Sequence, residues 1–136
     1  MADLIRFLVE CIGRDSNFLL NVGPTPQCTI QPEQAERLRG VGAWLKVNGD
    51  AVYGARPLPG GKHDWGYAVQ QPDTETVYLH VLDWPGTTLK VRLSSGSSAF
   101  FLDGRQPVLV QREDGSLVLS LPETAPDPVD TVIAVR

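Results

Sequence analysis

The 136-residue sequence is poor in cysteine, has one methionine and carries no surplus of positive charge. Its two thiols, Cys11 and Cys28, cannot make a disulfide framework. Each falls inside or beside an apolar pattern, so both are expected as buried or half-buried free thiols without a redox or metal role. A formal net charge of −4 gives no electrostatic footing for nucleic acid or an anionic membrane, and neither is expected as a partner. No run approaches the ~18 apolar residues of a membrane-spanning helix. The N-terminal residues also lack a signal-peptide cleavage pattern, so the expected location is cytoplasmic. The two histidines, His63 and His80, are too isolated for a metal site. Gly60-Gly61-Lys62 lacks the strand-to-helix setting of a phosphate loop. No metal and no cofactor is expected.

What is present is a soluble-type composition, 42% hydrophobic and 21% charged, on a chain long enough for one ordinary domain with its own core. Leu4, Leu8 and Cys11, with Ile5 and Ile12 alongside, have helical spacing over residues 2–13; Asp3 suits the start and Gly13 the stop. Phe18–Val22, in "NFLLNVGP", is an unbroken apolar run entering a Gly-Pro turn, the pattern of a strand buried on both faces. A second helix is signposted by Pro32 and Glu33, with Ala35, Leu38, Val41, Gly42 and Leu45 on one face, widened by Trp44, and Asn48-Gly49 as its end. After Tyr53 the pattern changes. Pro57, Pro59, Gly60 and Gly61 form a linker-like run, followed by five or six short strands. "TVYLHVLDW" alternates, "TTLKVRL" sets Leu89, Val91 and Leu93 against Thr88, Lys90 and Arg92, and Asp114-Gly115 marks a hairpin. His80 is expected as a packed or half-exposed strand side chain. "DTVIAV" closes the sequence as a strand, and the set suggests an antiparallel sandwich. A lone parallel-type strand has no ladder partner in such a chain, so residues 1–53 look incomplete while residues 54–136 look whole.

The blocks Asn17 through Ile30, Gly42-Ala43-Trp44-Leu45 and Asn48-Gly49-Asp50-Ala51-Val52-Tyr53, in that order, resemble the barrel end of α-L-fucosidases of glycoside hydrolase family 29. The later "VYLHVLDWPG" and "DPVDTVIAV" resemble the C-terminal β-sandwich of the same enzymes. The resemblance implies an α+β chain: a helix–strand–helix remnant of an (α/β) barrel, residues 1–53, followed by an antiparallel β-sandwich, residues 54–136. It makes Phe18–Val22 the last barrel strand and points Asn21 and the Gly23-Pro24 turn towards the active-site face. Two departures are visible: Asp15-Ser16 stands where the family has Asn-Gly, and Gln27-Cys28 where it has Asp-Gly.

Retaining glycoside hydrolysis needs two carboxylates about 5–5.5 Å apart. The resemblance places the family's nucleophile on earlier barrel strands that are not in this sequence, so no catalytic residue is assigned. Asp64 and Asp83, each beside a tryptophan, are the nearest candidates, and turn hydrogen bonding accounts for both. The expected role is structural support of a fucosidase catalytic barrel, or self-association through residues 4–45. The alternative is a carbohydrate-binding module for fucosylated glycans, with Asn21, Trp65 and Trp84 as sugar contacts and Tyr67 as a further platform. A third reading, copies completing an active site between them, fails for want of a nucleophile motif in any copy.

Overall fold

A computed structural model describes residues 1–60 and 62–136. Helix α1 spans Ala2–Gly13 and α2 spans Pro32–Asn48, the latter running into a single 3-10 turn at Gly49–Ala51. Eight strands follow: β1 (Arg56–His63), β2 (Gly66–Gln70), β3 (Val77–Val81), β4 (Thr88–Val91), β5 (Ala99–Phe101), β6 (Pro107–Glu113), β7 (Ser116–Ser120) and β8 (Thr131–Val135). Among the described residues, no helix is long and apolar enough to cross a membrane.

All pairings are antiparallel, in the order β1-β2-β3-β8-β5-β6-β7-β4. The sheet curls so that the β4–β7 end faces the β2–β3–β8 end. Leu79, Val81, Leu89, Val91, Leu117, Leu119, Ile133 and Val135 meet between them as an interior core. Strand β3 is buried along its whole length because both of its faces are covered. Leu79 and Val81 point into this core, while Tyr78 joins Val69, Val132 and Ala134 on the outer face, where α1 and α2 pack with Ile5, Leu8, Val9, Val41 and Trp44. The α+β class, two helices and a curled antiparallel sheet, is therefore the one expected.

The alternation in β4 holds as read, with Leu89 and Val91 in and Thr88 and Lys90 out. The β6–β7 hairpin turns at Asp114-Gly115, both at positive φ (47° and 75°), a pair that matches the right-handed twist of the strands and that glycine adopts without strain. The strand count is higher than the five or six expected. Residues Pro57, Pro59 and Gly60 belong to β1 and are not a linker; Gly61 of that run lies outside the described residues. β1 is an edge strand with a register shift between Pro57 and Lys62, the two circumstances in which a sheet tolerates proline.

Three further expectations are corrected. Phe18–Val22 forms no ladder: among the described residues its backbone makes no hydrogen bond, and only a single bridge, Pro24 to Ile30, lies nearby. Leu38, on the expected inner face of α2, is 37% exposed, because only the second half of the helix, through Val41, Trp44 and Asn48, reaches the sheet. Cys11 is buried as expected, but Cys28 is exposed. It sits at φ 58° in the turn closed by Thr25 and Thr29, a left-handed position that orients its side chain by turn geometry and not by packing.

Candidate functional site

The residues proposed as sugar contacts lie on separate elements. Asn21 is exposed in the unpaired segment. Trp65 occupies the two-residue turn between β1 and β2; it is 9% exposed, and its indole stacks on His63 at 4.8 Å with nearly parallel planes. Its carbonyl accepts from the amides of Leu82 and Asp83. Trp84 is half-buried against the interior core and donates its indole N–H to the Pro122 carbonyl at 3.1 Å. Tyr67, named with them, is buried among the helix-facing residues. These aromatic rings are engaged in packing.

Asp64 is exposed in the same turn as Trp65. Asp83 is exposed and pairs with Arg6 of α1 at 3.3 Å. The Arg6 guanidinium also donates to the Leu82 and Pro128 carbonyls, so this group clamps α1 to the loops at the end of β3 and ahead of β8. Asp130 is the one buried carboxylate among the described residues, and sequence patterning did not single it out. It stands immediately before β8 in a loop ordered by Asp127 and Thr131: the Val129 amide donates to the Asp127 carboxylate at 2.7 Å, and the Thr131 hydroxyl donates to the Asp127 carbonyl.

Asp130 meets His80, whose side chain is 0% exposed. His80 Nδ1 lies 2.7 Å from Asp130 Oδ2, and Nε2 lies 3.2 Å from the Ala51 carbonyl oxygen. A carboxylate and a carbonyl can only accept, so both ring nitrogens donate and the imidazole is held as the cation. Burial works against that charge, but the Asp130 carboxylate beside the ring and the two hydrogen bonds outweigh it and raise the pKa above the ordinary histidine value. The trio ties β3, the loop ahead of β8 and the turn after α2 into one polar knot beneath the helices. A general acid or base must reach a substrate proton, and this pair is sealed by protein on every side.

Several large apolar side chains are exposed. Leu19 is 83% exposed and Phe7 54% exposed, and the Phe7 and Phe18 rings meet edge to face at 5.7 Å. Ile30 and Leu38 add to the exposed set on the turn and on the first half of α2. Fully burying a leucine or phenylalanine is worth about 1.5–3 kcal/mol each. Phe18–Val22 is thus a five-residue ribbon with no backbone hydrogen bond among the described residues, Leu19 exposed and Phe18, Leu20 and Val22 half-buried.

Comparison with known proteins bears out the family resemblance. The profile of the alpha-L-fucosidase family matches residues 1–50. An alpha-L-fucosidase of Branchiostoma floridae is 38% identical over 108 residues, covering 76% of this chain and 24% of that protein. The tissue alpha-L-fucosidase of Homo sapiens is 30% identical over 146 residues, covering 98% of this chain and 30% of that protein. The structure of alpha-L-fucosidase isoenzyme 1 from Paenibacillus thiaminolyticus superposes with a TM-score of 0.86 at 31% identity, over 98% of this chain and 34% of that one. The chain thus spans between about a quarter and a third of the length of the relatives it matches.

Proposed function

Because the chain corresponds to the C-terminal part of a family 29 α-L-fucosidase, barrel end and β-sandwich together, we propose that it is the non-catalytic, supporting portion of a fucose-releasing hydrolase. Residues 1–53 supply the end of the catalytic barrel and residues 54–136 the accessory sandwich that braces it. The partner is the remaining barrel, in the same polypeptide or another. Leu19 carries this reading: an 83%-exposed leucine within an unpaired apolar ribbon is a strand waiting for neighbours. The reading is supported too by the one buried carboxylate among the described residues, Asp130, being committed to His80. The alternative, a carbohydrate-binding module, draws less support because Trp65 and Tyr67 are buried and Trp84 is half-buried.

The test is a chromogenic α-L-fucoside. The chain alone is expected to release no product above a buffer blank. Turnover that disappears on substituting one Asp or Glu would overturn the assignment, since it would place a working carboxylate in this chain.

A further inference from the structure

The turn that joins α2 to β1 is held to the sheet at two points. At one, the Gln71 side-chain amide, from the loop between β2 and β3, donates to the Asp50 and Tyr53 carbonyls, both at 2.7 Å. At the other, His80 Nε2 on β3 donates to the Ala51 carbonyl at 3.2 Å. The first point carries no ionisable group. The second depends on a proton, because only the imidazolium has an N–H for each of its two acceptors. When the ring gives up one proton, the other stays with the stronger acceptor, on Nδ1 at 2.7 Å from the Asp130 carboxylate. Nε2 is then a lone pair facing the Ala51 carbonyl oxygen. Two buried acceptors in contact repel, and each has lost its partner. Ala51 and the His80 side chain are both 0% exposed, so the proton passes to solvent only as the turn lifts. Deprotonation and lifting are one event.

Asp130 is the charge that acts on this ring. In register beside His80 stand the Tyr67 phenol on β2 and Val132 on β8. From α2 comes Trp44, its ring centroid 6.5 Å from that of His80, while Lys46 and the turn's own Asp50 are exposed. On α1, Arg6 pairs with Asp83, Glu10 pairs with Arg14, and Asp3 is exposed. In the loop ahead of β8, the Asp127 carboxylate accepts from the Val129 amide. We propose that His80 is a pH-operated latch: the protonated ring holds the Gly49–Ala51 turn down on β3, and the neutral ring releases it to pivot on Gln71. The folded-state pKa lies above the ordinary histidine value, so the latch is shut below that pKa and opens as pH rises through it. Release frees the C-terminal end of α2 from the sheet while the chain stays folded. The latch stands whether or not residues 1–53 brace a barrel.

The experiment is an NMR titration of the whole chain, 15N-labelled, from about pH 6 to pH 9. Both His80 ring nitrogens are expected to carry protons at the acid end. The amide resonances of residues 49–53 should move with the midpoint at which Nε2 loses its proton, while those of the β6–β7 hairpin stay in place. His80→Gln, whose side-chain amide donates without titrating, is expected to leave the turn resonances flat. Gln71→Ala, at the point that does not titrate, keeps His80 and its pairing intact. It should raise hydrogen exchange at the Tyr53 amide, corrected for intrinsic pH dependence, about tenfold more above the midpoint than below it, the scale of one hydrogen bond. A ring with a single proton at pH 6 would overturn the latch, as would turn amides that stay in place while His80 titrates. So would a turn that shifts only together with the hairpin, or one that still responds to pH in His80→Gln. A ring that keeps both protons until the chain unfolds would overturn it as well.

Discussion

At His80 one ring meets two acceptors, and the chemistry of that meeting sets a pH dependence. The folded-state pKa is raised above the ordinary 6.5 of the unfolded chain. The stabilisation is therefore complete below about pH 6.5 and is lost as pH rises through the folded value. Thermal melts from pH 6 to pH 9 are expected to show a falling midpoint in the native chain and a flatter profile in His80→Gln. The same substitution should cost about 3–5 kcal/mol at pH 6, because it strands the Asp130 charge without its counter-ion. A midpoint that rises with pH over this range would contradict the cationic assignment. Little of this was legible beforehand. His80 reads as a strand residue from alternation alone, and its partner lies fifty residues on, in a loop whose only mark is an aspartate ahead of an apolar run. Long-range polar pairing leaves no local pattern.

Elements were easier to read where local chemistry and tertiary packing agree. α1 ends at Gly13, where a side chain would collide with the Tyr67 ring, and α2 begins at Pro32, whose missing N–H costs nothing in the first turn. β1 was misread because prolines and glycines fill it, and β2 went unassigned because "GYAVQ", buried from Gly66 to Val69, shows no alternation. Phe18–Val22 reads as a buried strand and is not one here, since ladder partners belong to the sheet and not to the segment. The contrast with β3 can be measured. Leu19→Ser should change unfolding free energy by no more than about 0.5 kcal/mol while reducing any concentration-dependent association seen by light scattering. Leu79→Ala, at a fully buried β3 position, should cost about 2–5 kcal/mol. A large stability loss from Leu19→Ser would show that the ribbon is packed after all.

Over the whole molecule, two cores share one sheet. Trp44 sits in the helix-facing core, and Trp65 belongs to the interior core with Trp84 against it. Because β2, β3 and β8 carry both sets on opposite faces, neither core can dissolve without stripping support from the other. Single-tryptophan variants retaining Trp44 or Trp84 are expected to report one coincident denaturant midpoint. Separate midpoints would mean that the helical segment melts as an independent unit. The resemblance recovered the architecture at this scale because several matched blocks occur in one order, whereas composition and periodicity alone would stop at a helical half and a β-rich half.

β8 comes last of the eight described strands in chain order and yet lies in the middle of the sheet, between β3 and β5. During synthesis the earlier strands must therefore wait, with the gap at the centre open, until Val135 has cleared the ribosomal tunnel. A premature stop codon a few triplets upstream would leave two unmatched edges, and the nascent product would be a substrate for chaperones and proteases.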